Sequence, residues 1–132
     1  MQLRKAGALA ALIASVAVVA TPALASAQLS EKEIRNTVAG KRIYLKVPLG
    51  GEFPLYYQTN GKVSGSGDAV GLGRFMQPKD QGRWWVRGNR LCQKWQAWYD
   101  GKQFCFTLSK GDGNTLFWRR DDGMTGRARI GQ

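Results

Sequence analysis

From Lys41 onward the chain is cut into short lengths by turn dipeptides: Asn60-Gly61, Gly88-Asn89, Asp100-Gly101 and Asp122-Gly123. Asn-Gly and Asp-Gly supply the positive φ angles that tight hairpins require. Between turns the side chains alternate. Ile43, Leu45 and Val47 interleave with Arg42, Tyr44 and Lys46, the two-residue repeat of a half-buried strand. Seventeen glycines in 132 residues punctuate the chain into a meander, with Gly65 to Gly73 and Pro78 to Gly82 read as loops. No linker is long enough to separate domains. The expected fold is mainly β: a single antiparallel meander, strongly curved or closed as a small barrel.

One short helix precedes it. Ser30-Glu31-Lys32-Glu33 is a capping box, in which the Ser30 hydroxyl accepts from the Glu33 amide while the Glu33 carboxylate reaches back. A helix from about Glu31 to Val38 follows, with Ile34 and Val38 on one face and Gly40 as its stop. Upstream, Met1 to Ala27 reads as a signal peptide: Arg4 and Lys5, an apolar run from Ala6 to Ala20, then Ala25-Ser26-Ala27 as an A-x-A site. The run is too short for the roughly 20 residues that span a bilayer. Cleavage after Ala27 leaves one β-meander domain, residues 28–132, in the periplasm or outside the cell. The two cysteines, Cys92 and Cys105, agree with that address and are expected to form a disulfide.

The disulfide also sets a register. A tight turn at Gly88-Asn89 pairs Arg87 with Arg90 and Trp85 with Cys92. A two-residue turn at Asp100-Gly101 would then leave the cysteines about 13 Å apart along the strand, beyond the ~7 Å a disulfide tolerates. Opposing Cys92 to Cys105 instead requires a four-residue loop, Ala97 to Asp100, and places Phe104, Phe106 and Leu108 with Leu91 and Trp95 in the core. Turning at Asp122-Gly123 pairs Trp118 with Arg127. That sends Phe117, Ala128 and Ile130 inward and Trp118, Arg120, Arg127 and Arg129 outward.

The resulting picture is a sheet with one apolar face and one basic face bearing Trp. The formal charge is +11, with 20 Lys+Arg against 9 Asp+Glu. The candidate anion-binding residues are Arg83, Arg87, Arg90, Lys94, Arg120, Arg127 and Arg129, with Trp85 and Trp118 for aromatic stacking. The expected partner is an anionic envelope component (phosphorylated lipid or acidic glycan) or an acidic protein. Nucleic acid suits the same chemistry in vitro, but export argues against it in the cell. The bland alternative is a structural envelope module with no specific ligand, its arginine stems merely covering exposed rings.

Catalysis finds little support in the residue types. There is no His, so no Ser-His-Asp or Cys-His pair and no zinc site of the usual His type; no metal and no cofactor is expected. Asp121-Asp122 beside Gly123 reads as turn chemistry, and a small cell-wall enzyme is the weaker alternative. A carrier of small apolar ligands needs an enclosed cavity, against which five Trp and five Phe argue. Gly82-x-Trp84, Leu91-Cys92-x-x-Trp95 and Cys105 resemble a pattern of small exported two-cysteine β-rich envelope proteins of Gram-negative bacteria. That resemblance implies a signal, a short capped helix and a β meander, and brings no activity with it.

Overall fold

The computed structural model describes residues 7, 10–20, 27–48, 50–67 and 78–132. After helix α1 (Glu31–Val38) come eight strands: β1 (Lys41–Lys46), β2 (Glu52–Tyr57), β3 (Lys62–Ser66), β4 (Lys79–Arg87), β5 (Arg90–Trp95), β6 (Gln103–Lys110), β7 (Thr115–Arg120) and β8 (Thr125–Ile130). Each pairs antiparallel with its neighbour, and β8 returns to β1, closing the barrel. Closure removes every sheet edge. It also explains the strand patterns, since alternate residues must fill an interior that eight strands leave just wide enough for side chains or one small ligand.

The helix closes one end of the barrel. Ser30 and Glu33 form the full capping box, and Ile34, Thr37 and Val38 are buried. The Glu31 amide donates to Asn89 Oδ1 and Gln28 Nε2 to the Asn89 carbonyl, tying the helix start to the β4–β5 turn. The other end carries the β1–β2, β5–β6 and β7–β8 connections.

Cys92 opposes Cys105 across β5–β6 and is bonded to it, with Cα atoms 4.0 Å apart. The loop this register demands is a tight turn over Trp98–Gly101, with Tyr99 and Asp100 both in the left-handed region at φ 56° and 54°. It buries Trp98, and Asp80 Oδ2 fixes it by accepting from the Ala97 and Trp98 amides at 2.8 Å each.

Three expectations need correction. Gly65 and Ser66 do not open a loop but end β3, paired with Asp80 and Lys79, and the absent Gly65 side chain leaves room for the Trp98 ring. Pro78 to Gly82 is not a loop, because β4 begins at Lys79. Its alternation is hidden by Gly82, whose missing side chain lets the Lys94 carbonyl approach. The β7–β8 register is also shifted by one residue: Trp118 opposes Gly126, not Arg127. The turn is a three-residue loop, Asp121 to Gly123, closed by the Arg120 amide on the Met124 carbonyl, with Gly123 at φ 91°. This is the hairpin in which a left-handed glycine ends a type I turn. Trp118 and Arg120 therefore face inward and Phe117 outward.

Ala10 to Ala20, the described part of the apolar run, has no helix or strand and contributes nothing to the core; Leu12, Ile13, Val16, Val18 and Val19 are exposed. Ala25 and Ser26 of the A-x-A site lie outside the described residues, as does 68–73 of the glycine-rich stretch. No helix among the described residues is long and apolar enough to cross a membrane.

Candidate functional site

On the outer surface of β3 to β6 the basic side chains fall into rows, because antiparallel registry sets residues of neighbouring strands opposite one another. Lys62 opposes Arg83, Arg83 opposes Lys94, and Lys94 opposes Gln103. Two residues along, Trp85 opposes Cys92 and Cys92 opposes Cys105. Two further on, Arg87 opposes Arg90, and Arg90 lines a shallow groove with Cys105, Thr107 and Arg119, whose far side holds Asp121 and Asp122. A half-buried indole thus sits over the disulfide row between two rows of cations. Like charges directly opposite destabilise a sheet, and here three cross-strand pairs are cation against cation.

No ion pair within the described residues offsets this. The described ion pairs are Arg35–Glu31, Arg120–Asp122 and Arg129–Glu52. None involves Arg83, Arg87, Arg90 or Lys94. An open groove beside Trp85 is lined by Lys62, Arg83, Lys94 and Asp100, so one carboxylate stands at its end.

The remaining expected residues lie elsewhere. Trp118 leaves the outer face: it lines the interior with Leu108 and Leu116 and packs edge-on against Phe106, ring centroids 5.7 Å apart. Arg120 also turns inward at the open end. Its guanidinium lies 4.2 Å from the Phe104 ring centroid and donates through Nε and Nη2 to both oxygens of Asp122. Those bonds hold the Asp122 carboxyl down to about 2. Arg127 stays outside but lies over Phe117 at 5.4 Å. Arg129 covers Tyr44 at 4.2 Å and donates to both oxygens of Glu52, which lowers that carboxyl below its usual range. On the β8–β1–β2 side, then, arginines cover Tyr and Phe rings, as the purely structural reading requires. On the β4–β5 side no such cover is found for Arg83, Arg87, Arg90 or Lys94.

Lys62 and Arg119 join the basic surface without having been singled out as site residues. Lys62 reaches Arg83 only through β3–β4 pairing across the glycine-rich connection, which no local signal specifies. Arg119 is turned outward by the one-residue register shift. The paired acids are engaged locally: Asp121 Oδ2 accepts from the Cys105 amide at 3.2 Å, and Asp122 from Arg120 and the Met124 amide. No cluster of metal-ligating side chains occurs among the described residues.

Comparison with protein-family models, with curated proteins and with solved structures gives no match.

Proposed function

We propose that the chain is an exported, non-catalytic binding protein whose β3–β6 outer face recognises an anionic envelope partner, a phosphorylated lipid, acidic glycan or acidic protein. The observation that carries this reading is the opposition of Arg83 to Lys94 and of Arg87 to Arg90 on either side of Trp85, with no ion pair to any of the four among the described residues. An arrangement that raises the energy of the free sheet is relieved when an anion lies between the rows. The Trp85 face offers a sugar or planar group something to stack on. Arg120, Arg127 and Arg129 are not part of this seat, each having a partner of its own.

Export is supported by the leader-like segment, whose described residues 10–20 contribute nothing to the barrel core, and by the disulfide within the barrel wall. The structural-module reading accounts for the β8–β1–β2 side but leaves the β4–β5 rows unexplained.

The test is chromatography on immobilised heparin and on lipopolysaccharide. Wild-type protein is retained at low salt and released as salt rises, because exposed charges are screened within a Debye length of about 10 Å at 0.1 M. Arg87→Glu with Lys94→Glu should weaken retention at least tenfold. Lys46→Glu with Arg127→Glu, an equal charge change on the opposite side, should leave most of it. Equal losses from both pairs would reduce the face to bulk charge.

A further inference from the structure

The barrel interior is filled unevenly. Towards β2–β5, Trp84, Trp95 and Trp98 are buried and pack with Phe53 and Tyr57. Trp98 lies so close over Gly65 that a methyl group there would sit 2.6 Å from its ring. Towards β6–β8 the neighbours are smaller. Ala128 stands opposite Leu116, and Gly126 lies under Trp118. A cavity of about 100 Å³ remains, walled by Leu45, Leu108, Leu116, Trp118 and Ala128, with Val38 of the helix also lining it.

The cavity also reaches the open end of the barrel, where Tyr99 and Met124 are 51% and 53% exposed. Its volume is about two thirds of the ~150 Å³ that holds benzene in an engineered core. Its polar pair is already satisfied: Tyr57 Oη donates to Gln93 Oε1 at 2.7 Å. The cation at the mouth, Arg120, is neutralised by both oxygens of Asp122. An ionic ligand therefore gains little there.

A second observation points to what the site lacks. Among the described residues, the one buried side-chain nitrogen or oxygen without a hydrogen-bond partner is Trp118 Nε1, on a ring that lines this cavity. Buried donors in native proteins are nearly always paired.

We propose that the mouth of the barrel admits a small, uncharged, mostly apolar molecule carrying one oxygen acceptor. Its body lodges among Leu45, Leu108, Leu116 and Ala128, and its oxygen accepts from the Trp118 indole N–H. The site is separate from the basic outer face and different in chemistry, so either can fail without the other.

Cyclopentanone is the probe, with cyclopentane as the same body lacking the acceptor, each titrated into ¹⁵N-labelled protein while the five indole N–H resonances are followed. The expected result is a saturable shift of the Trp118 resonance, with cyclopentanone binding at least fivefold tighter than cyclopentane. Trp118→Phe assigns that resonance by its loss and should make the two probes bind equally. Ala128→Leu fills the space, and Met124→Trp blocks the mouth from an exposed position that leaves the core untouched; each should abolish binding while the spectrum stays dispersed. If Ala128→Leu fails to fold, Met124→Trp decides alone. Absence of a saturable response, or an undiminished response in Met124→Trp, would overturn the proposal.

Discussion

Asp122 accepts from Arg120 Nε and Nη2 at 2.9 and 2.6 Å and from the Met124 amide at 3.2 Å. These bonds favour the ionised carboxyl and lower it from 3.8 to about 2. A depressed folded value means the contribution is fully present above the unfolded value and is lost as pH falls through the folded one. Asp122→Asn should therefore melt below wild type at pH 6, and the gap should close between pH 4 and 2; a gap independent of pH would contradict this. Tyr57 shows the opposite effect. Burial pushes its phenol well above its usual value, so it stays a neutral donor to Gln93 throughout the physiological range.

At the scale of the hairpin, glycines decide how closely strands and rings approach. A Cβ at Gly82 would run into the Lys94 carbonyl of the neighbouring strand, and one at Gly126 into the Trp118 ring. Backbone cannot swing aside as a side chain can. Gly82→Ala should cost roughly 2 kcal/mol or more in urea unfolding, in the range of strained or overpacked sites. A cost below about 0.5 kcal/mol would mean that β4 and β5 are looser than their pairing implies.

The same hairpins mark how far the chain can be read without coordinates. The capping box, the Gly88-Asn89 turn and the Cys92–Cys105 register were legible because each is local or covalently constrained. At Asp121-Asp122-Gly123 the dipeptide signals a turn but not its length. Two-residue and three-residue loops both use a glycine at positive φ, and choosing wrongly turned Trp118 and Arg120 outward. Tyr99 and Asp100, both at positive φ without being glycine, adopt a shape that no propensity rule selects. Trp98, plugged into the core and anchored by Asp80, imposes it.

Across the molecule, strand closure and one disulfide share the task of holding a small core. The bond joins residues 13 apart in sequence on directly opposed strands. Replacing both cysteines by Ala should lower unfolding stability by about 3 kcal/mol in the chain-entropy account, leaving a barrel that still folds. Little change in the urea midpoint would show that β5–β6 pairing needs no covalent help. Closure also separates surfaces of different chemistry. Basic rows lie outside β3–β6, ring-covered arginines lie outside β8–β1–β2, and the residual space within lies towards β6–β8.

The cations around Trp85 are proposed to act together as one anion seat. Its most direct measurement is an equilibrium titration with a heparin hexasaccharide, followed through the Trp85 indole N–H at several salt concentrations. The account predicts a saturable Trp85 shift and a log Kd against log salt slope that falls by about 2 in Arg87→Glu with Lys94→Glu, but not in Lys46→Glu with Arg127→Glu. A Trp85 resonance that stays in place while binding proceeds, or the same slope in both variants, would contradict it.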